Sequence, residues 1–178
     1  MKKNLSPVLI LAISFMLGGA YVGYKFHAPP SAGEDVTSKP SGGGLFGQQL
    51  PDASGVSQPL SRWRGKPLIV NFWATWCAPC VEEMPELSAF QSELHAKDIQ
   101  LIGIGVDSAE NIRNFSNKYR ISYPLYVAGA NGVELSRQLG NRNGGLPFTV
   151  LFDKNGTVVK TYLGRLHLDE LRSDLAAL

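Results

Sequence analysis

The chain has 178 residues, of which 44% are hydrophobic, and its formal net charge is +2. This length fits one domain of ordinary size with an additional tail, and the hydrophobic content is sufficient for a buried core. Four of the 17 lysines and arginines and two of the 15 acidic residues precede Leu45, which leaves 13 of each sign in the remainder. Because this remainder is neutral, it offers no basic surface for nucleic acid, and we exclude a nucleic-acid partner.

The first 26 residues have the pattern of a membrane-directed segment. Lys3 and Lys25 are separated by 21 residues without a charge, and a helix of that length spans roughly 31 Å, close to the thickness of a hydrocarbon core. We predict an uncleaved transmembrane signal anchor over residues 1–26. The alternative is a signal peptide cut after Ala20, because Gly18 and Ala20 are small residues at the spacing that signal peptidase requires.

Both interpretations send the rest of the chain across the membrane. Lys2 and Lys3 precede the apolar segment and should stay in the cytoplasm by the positive-inside bias. We therefore expect a single-pass protein of the inner membrane with its main domain in the periplasm or extracytoplasmic space. Residues 27–44 are rich in Pro, Gly and Ser and are predicted to form a flexible linker that spans on the order of 23 Å. The folded domain is predicted over residues 45–178.

The domain is predicted to begin with short elements and a buried strand. Residues 45–60 favour a short hairpin that turns at residues 52–55. Residues 61–67 favour a short helical turn. Residues 68–73 form a continuous apolar run interrupted only by Asn71, which is typical of a strand buried on both faces.

The two cysteines of the chain, Cys77 and Cys80, directly follow this strand and open a helix predicted over residues 77–96. A helix N-terminus favours a thiolate over a thiol, because its free N–H groups carry a partial positive charge. A second thiol one turn later can attack the first sulfur, so the pair can cycle between dithiol and disulfide. The pattern therefore predicts a redox pair, with Cys77 as the attacking thiolate and Cys80 as the resolving thiol.

The alternatives to a redox role for the cysteine pair are a structural disulfide and a metal site. A purely structural disulfide would more often link distant segments, because a long closed loop restricts the unfolded chain more. A zinc site would need two further ligands, whereas His27, His95 and His167 are isolated in the sequence. We expect neither a metal nor another cofactor at the pair.

The remaining elements alternate between strands and helices, which predicts an α/β domain. A cap is expected at Asp107 or Ser108, a helix end at Gly140, and a kink at Pro85 inside the first long helix. The further strands are predicted at residues 99–106, 125–127, 148–152 and 158–163, and the further helices at residues 108–119, 133–139 and 168–178.

Four motifs surround the cysteine pair or lie near it in the chain. They are Val-Asn-Phe-Trp-Ala-Thr-Trp-Cys-Ala-Pro-Cys at 70–80, Glu-Glu-Met-Pro-Glu-Leu at 82–87, Leu-Ser-Arg-Trp-Arg-Gly-Lys-Pro at 60–67 and Gly-Leu-Pro at 145–147. With these motifs the chain closely resembles the membrane-anchored, thioredoxin-like proteins of bacteria of the TlpA/ResA type. The resemblance covers about residues 45–178 and implies a thioredoxin-like fold with an N-terminal hairpin and a central strand-helix insertion at about residues 108–140.

The resemblance implies three further site residues. Pro147 matches a proline that is cis in thioredoxin-like folds and lies against the dithiol, and the backbone of Leu146 would pair with an extended substrate. Glu83 matches a glutamate that acts as a general acid/base; its spacing places it on the helix face of Cys80. The alternative for Glu83 is an ordinary solvated helix charge.

The roles of three residues depend on the tertiary structure. Cytoplasmic thioredoxins carry a buried, proton-carrying Asp where this chain has Asn71, which cannot ionise. Phe148 follows the proline where the family commonly has Thr, and can either pack inward or enlarge the contact surface. Trp76 either shields the sulfurs, as a substrate-binding residue, or is a packing tryptophan.

We therefore predict an extracytoplasmic thiol-disulfide oxidoreductase. The resemblance implies that it reduces disulfides of exported proteins, such as apocytochrome c or proteins with copper-site cysteines, and that a membrane electron conduit reduces it again. The alternatives are an oxidant or isomerase in the same compartment, and a non-catalytic protein that handles metal through the dithiol.

Overall fold

The structure is a computed structural model that describes residues 42–178. The predicted anchor over residues 1–26 and most of the predicted linker lie outside the described residues. Among residues 42–178, no helix is both long enough and apolar enough to cross a membrane. The elements, in chain order, are α1 (Gly43–Phe46), β1 (Gln49–Pro51), β2 (Ser57–Pro59), a 3-10 turn (Leu60–Trp63), β3 (Leu68–Trp73), α2 (Ala78–Ala96), β4 (Gln100–Gly105), α3 (Ala109–Tyr119), β5 (Leu125–Val127), α4 (Asn131–Gln138), β6 (Phe148–Phe152), β7 (Val158–Leu163) and α5 (Leu168–Leu175).

The last three residues of the stretch predicted as linker, 42–44, belong to the described part of the chain. The backbone N–H of Gly42 donates to Gly156 O at 3.1 Å, and Leu45 and Phe46 of α1 are buried. A Cβ atom on Gly42 would lie 2.7 Å from the Phe152 ring. The lack of a side chain at Gly42 therefore allows its close approach to Phe152.

The predicted N-terminal hairpin is confirmed. β1 and β2 pair antiparallel, with Leu50 opposite Gln58. The Asp52 carboxylate accepts hydrogen bonds from Ser54 N at 2.9 Å and Val56 N at 3.1 Å. Gly55 has φ +93°, a left-handed conformation that glycine adopts without steric cost. The turn is thus fixed by the residue types that predicted it.

The main sheet has the strand order β5-β4-β3-β6-β7. The central strand β3 is buried along its whole length, as predicted, and it runs parallel to β4 and antiparallel to β6. Its side chains alternate between two buried clusters, with Ile69 and Trp73 in one and Val70 and Phe72 in the other. The core therefore fills both faces of the sheet, and α2 packs on the Trp73 face.

The strand-helix insertion is confirmed as α3, β5 and α4 between β4 and β6, with β5 at the sheet edge. Ser108 caps α3 by accepting from Asn111 N at 3.2 Å. The helix α4 starts earlier than predicted, at Asn131, and Gly140 follows its end with φ +109°. The last helix ends at Leu175 rather than at the predicted 178. The fold is thus the predicted thioredoxin-like α/β fold. It differs from the prediction in the short helix α1, which was not predicted, and in small shifts at the ends of helices and of β4, where sequence signals are weakest.

Candidate active site

The cysteine pair lies where β3 leads into α2. Cys77 is the N-cap residue of α2, Pro79 lies in the first turn, and the helix continues past Pro85 to Ala96. The two cysteines form a disulfide, with their Cα atoms 5.3 Å apart. Proline is tolerated in the first turn because its missing N–H would have no helical partner there. The predicted kink at Pro85 stays a prediction.

The two sulfurs differ in their access to solvent. Cys77 is 6% exposed and Cys80 is 0% exposed. Cys77 also lies at the helix end, where the partial positive charge is concentrated. This arrangement agrees with the predicted order, in which Cys77 attacks and Cys80 resolves; the order itself stays a prediction.

The two tryptophans of this segment have opposite environments. Trp73 is fully buried, and its ring centroid is 4.9 Å from that of Phe115. Trp76 is 69% exposed. The interpretation of Trp76 as a core packing residue is therefore wrong, because its ring stands at the surface directly before Cys77.

The segment that enters β6 lies beside the same loop. The Leu146–Pro147 bond is cis, and Pro147 is buried. Because Phe148 is paired with Phe72 in the antiparallel register, the residues just before it run alongside those just after β3. Leu146 packs against the cluster that contains both cysteines. Within residues 42–178, no backbone hydrogen bond of Leu146 is found, which leaves its N–H and C=O free to pair with an extended substrate.

Phe148 packs inward. It is 2% exposed, and its ring centroid lies 6.1 Å from that of Phe72. Of its two predicted roles, enlarging the contact surface is therefore wrong, because the side chain lies in the buried cluster that also contains Val70 and Phe72.

Glu83 lies on α2 three residues after Cys80, and it is buried, with 1% exposure. Its Oε1 accepts from Asn71 Nδ2 at 2.7 Å, and its Oε2 accepts from Leu166 N at 2.8 Å. Asn71 Nδ2 also donates to Thr149 Oγ1 at 3.1 Å. Glu83 is therefore no solvated helix charge: it is held by a network that joins α2 to β3, β6 and the loop after β7.

Burial raises the pKa of Glu83 above its ordinary value of 4.5, although the hydrogen bonds from Leu166 N–H and Asn71 partly oppose this. The positive charge of Arg165 also lowers the pKa, whereas Glu86 raises it. A carboxyl group with a raised pKa can take up and release a proton nearer to neutral pH, which is what a general acid/base needs.

Arg165 forms two ion pairs close to this network. Its Nη1 lies 3.1 Å from Glu82 Oε2, and its Nη2 lies 2.6 Å from Glu86 Oε1. Both glutamates flank Glu83 on α2, while Arg165 precedes Leu166 in the loop after β7. The two ion pairs are exposed and contribute little stability by themselves, but they connect α2 to the loop from which Leu166 N–H reaches Glu83.

A second carboxylate, Asp107, fixes the loop that precedes Cys77. Its side chain accepts from Thr75 N at 3.2 Å and from Thr75 Oγ1, and also from Ser108 N and Asn111 Nδ2, both at 2.7 Å. Burial raises the pKa of Asp107, but the hydrogen bonds from Thr75 and Asn111 outweigh it and hold the pKa below its usual range. Asp107 therefore connects the end of β4 to the cysteine loop.

We expect Asp107→Ala to lower the free energy of unfolding by about 1–3 kcal/mol, because Thr75, Ser108 and Asn111 lose their acceptor. Chemical denaturation of the two proteins measures the difference. Glu110→Ala is the matched control, since Glu110 is an exposed carboxylate on α3 and its loss should cost far less. Equal losses in the two variants would contradict the anchoring role of Asp107.

The raised pKa of Glu83 also predicts how stability depends on pH. Because the folded state holds this proton more tightly than the unfolded chain, the contribution is fully present below the ordinary value of 4.5 and is lost as pH rises through the folded pKa. Urea unfolding between about pH 4 and pH 8 should show this decline, and Glu83→Gln should flatten it. Glu93→Gln should leave the decline in place; an identical slope in wild type and Glu83→Gln would refute the assignment to Glu83.

Comparison with known proteins fixes the family. Residues 31–177 match the family model described as Redoxin. The chain belongs to the Redoxin family. Among its Redoxin-family relatives, the thiol-disulfide oxidoreductase ResA of Bacillus thuringiensis is 31% identical, with 98% of this chain and 97% of ResA covered. The thioredoxin-like protein YneN of Bacillus subtilis is 28% identical, with 98% of each chain covered.

A solved structure agrees with the assignment of the chain to this family. A thiol:disulfide interchange protein of the thioredoxin family from Chlorobium tepidum superposes with a TM-score of 0.63 at 26% identity, covering 82% of this chain and 98% of its own. The predicted family, fold and enzyme class are therefore confirmed: this Redoxin-family chain is a ResA-type thiol-disulfide oxidoreductase with a thioredoxin-like fold.

The structure brings the predicted site residues together around the end of β3. Cys77, Cys80 and Glu83 follow one another on α2, and Leu146 packs against their cluster. Sequence reasoning missed the direct contact of Asn71 with Glu83, and also the partners Thr149, Leu166 and Asp107. Asp107 carries a signal that could have revealed it, because it follows β4 and the carboxyl ends of parallel strands meet at one sheet edge.

Proposed function

We propose that this enzyme reduces disulfides of exported proteins on the outer side of the membrane. The direction of the reaction is argued from the burial of Glu83, which is 1% exposed and lies three residues after Cys80 on α2. A buried carboxylate about one helical turn from Cys80 disfavours a second negative charge on the Cys80 sulfur. A dithiol whose thiolates are poorly stabilised gives up electrons readily, whereas strong oxidants stabilise their reduced form.

The exchange runs through a mixed disulfide. The Cys77 thiolate attacks one sulfur of the substrate disulfide; a Cys77–substrate bond forms, the substrate S–S bond breaks, and its other sulfur leaves as a thiolate. Cys80 then gives its proton to Glu83, and the Cys80 thiolate attacks Cys77 Sγ. The Cys77–Cys80 disulfide forms, the second substrate sulfur leaves as a thiolate, and two electrons have passed to the substrate.

Substrate contact is assigned to Trp76, Leu146 and Pro147. The free N–H and C=O of Leu146 would pair with an extended segment that carries the substrate cysteine, as in strand addition. The exposed Trp76 ring would cover the reacting sulfurs and limit their access to water.

The proposed location rests on the N-terminal sequence. The uncharged segment after Lys3 would hold the chain in the inner membrane, with its domain in the extracytoplasmic space. Clients would be exported proteins such as apocytochromes c or proteins with metal-site cysteines, and a membrane thiol-disulfide conduit would supply electrons. Tethering would raise the effective concentration of the domain beside that conduit.

The equilibrium potential against glutathione tests the direction. A value near that of thioredoxin, about −270 mV, would support a reductant, and one near about −120 mV would overturn it in favour of an oxidant or isomerase. Metal that remains bound after purification of the reduced protein would favour the metal-handling alternative.

Labelling of whole cells tests the location. After reduction, a membrane-impermeant thiol reagent should label Cys77 in cells with an intact inner membrane, and labelling that requires lysis would refute the proposal. The mass of the purified chain decides whether the segment is cut after Ala20.

A further inference from the structure

A surface groove next to the cysteine pair takes no part in the exchange described above. It has a volume of about 290 Å³ and lies between the cysteine segment and helix α3. Thr75 and Val81 form one wall, and the face of α3 that carries Asn111, Asn114 and Lys118 forms the other. The groove therefore joins the active-site segment to the strand-helix insertion.

The groove begins within one helical turn of Cys77. Val81 N donates to Cys77 O at 3.1 Å, so Val81 follows Cys77 by one turn of α2, about 5.4 Å along the helix. Thr75 precedes Cys77 by two residues, and Asp107 accepts from its N–H at 3.2 Å. Substrate residues close to the reacting cysteine can therefore reach the groove.

The groove and Leu146 lie on opposite sides of Cys77. The strands β4 and β6 flank β3 on its two sides, and the cysteine segment follows β3. Leu146 precedes β6, whereas Thr75 is bound to Asp107, which follows β4. A substrate segment that pairs with Leu146 and crosses Cys77 is therefore directed toward the groove.

The length of the groove suits an extended polypeptide. The seven-residue step from Asn111 to Lys118 along α3 corresponds to a rise of about 10 Å. An extended chain advances about 3.3 Å per residue, so about three residues of a substrate can lie along this wall.

The far end of the groove combines an aromatic surface with a positive charge. The Phe115 and Tyr119 rings have centroids 4.5 Å apart, and Tyr119 is 38% exposed. Lys118 Nζ lies 5.1 Å from the centroid of the Tyr119 ring. Within the part of the chain that the structure describes, Lys118 forms no ion pair. An apolar side chain and a carboxylate therefore both find complementary groups here.

The charges around the groove differ between its two ends. At the near end, the Asp107 carboxylate accepts from Thr75 and Asn111. Toward the far end, residues 111–122 contain three cations, Arg113, Lys118 and Arg120, and no acidic residue. An acidic substrate residue is therefore favoured at the Lys118 end and disfavoured beside Asp107.

We propose that this groove binds the substrate segment that extends past the reacting cysteine, and that it selects segments with an apolar residue and, further from the cysteine, an acidic one. The proposal rests on the exchange with protein disulfides given under the proposed function. The apolar side chain packs on Phe115 and Tyr119, and the carboxylate pairs with Lys118. Continuity with the reacting sulfur brings this segment of the substrate to the groove.

The experiment uses the reduced, full-length protein in a mild detergent and two short peptides with one central cysteine. Both peptides carry Leu near the cysteine and, beyond it on both sides, either Glu or Gln. Each is supplied as its symmetrical disulfide, so that attack on either sulfur presents the same flanking residues. Release of peptide thiol at low ionic strength, where exposed charges are least screened, gives a second-order rate for each peptide.

The ratio of the Glu-peptide rate to the Gln-peptide rate measures selection by charge. Because both rates come from the same protein, any change in the reactivity of Cys77 cancels. We expect a ratio of about three in the wild type, the size of an exposed ion pair, and a ratio below one in Lys118→Glu, where two carboxylates repel each other.

Lys154→Glu is the matched control for this charge reversal. Lys154 is exposed and follows Phe152, which pairs with Leu68 at the opposite end of the sheet from the cysteines. The ratio should therefore keep its wild-type value in this variant.

A second variant tests occupancy of the groove without changing its charge. Asn114→Trp places a bulky ring in the groove and should slow both peptides by about tenfold. Asn117→Trp is its control, because Asn117 is exposed on the same helix and does not line the groove; both rates should stay at their wild-type values.

A wild-type ratio of one, or the same ratio in Lys118→Glu and Lys154→Glu, would overturn the proposal. So would wild-type peptide rates in Asn114→Trp. Reduction of hydroxyethyl disulfide, which is uncharged and too short to reach Lys118 from Cys77, reports the dithiol chemistry of the wild type by itself. A groove that fails to select and an enzyme that fails to reduce are thereby distinguished.

Discussion

Cys80→Ser is expected to stop turnover and to leave the enzyme covalently attached to its substrate. Cys77 lies at the N-terminus of α2 and is the more accessible sulfur, so it can still attack a disulfide. The resolving sulfur is then missing, and a serine hydroxyl cannot attack Cys77 Sγ at a useful rate. Multiple-turnover activity should fall by at least about a thousandfold, as expected when a covalent nucleophile is removed.

Non-reducing gels and mass spectrometry of intact protein measure the trapped mixed disulfide. Cys77→Ser is the matched control, because it should be equally inactive and yet form no adduct. An adduct on Cys80 in Cys77→Ser, with none on Cys77 in Cys80→Ser, would reverse the assigned roles. The trapped form would also identify the client proteins in cells.

Glu83→Gln is expected to slow the resolving step by about a hundredfold, the lower range for loss of a general acid/base. A glutamine cannot accept the proton of Cys80. In the wild type, the rate should rise as pH increases through the raised pKa of Glu83, since only the ionised carboxylate accepts a proton. That inflection should be absent from the variant.

Single-turnover release of a substrate thiol from the mixed disulfide, measured across pH, provides both readouts. Glu93→Gln is the control, because Glu93 lies on the same helix but is only half-buried and is paired with Lys97 and Arg172 instead of with the network of Glu83. If Glu83→Gln kept the wild-type inflection, the proton acceptor of Cys80 would have to be another group.

The buried network contains an ionisable group although Asn71 stands where cytoplasmic thioredoxins carry an acidic residue. Asn71 lies on β3 and donates a 2.7 Å hydrogen bond to the Glu83 carboxylate on α2. The buried ionisable group of this chain is therefore on the helix rather than on the strand. A second buried carboxylate at residue 71 would disfavour the ionised form of Glu83 by repulsion.

Much of the fold could be predicted from the sequence because the patterns that indicate its elements involve neighbouring residues. The apolar run Leu68–Trp73, the cysteine spacing and the turn at 52–55 each depend on neighbouring residues, and the corresponding features are observed. The cysteine pair itself was found in the same way. Helix ends were less accurate because several residues near a terminus can serve as the last turn.

Contacts between residues far apart in the chain were decided by the tertiary structure alone. Glu83 meets Leu166 across 83 positions, and Asn71 meets Thr149 across 78. No periodicity or spacing encodes such pairs; they arise because β3 packs between β4 and β6 beneath α2. The sequence determined that a cysteine pair would perform dithiol exchange, whereas the packing of α2 on the sheet decided that Glu83 is buried beside it and Trp76 is exposed.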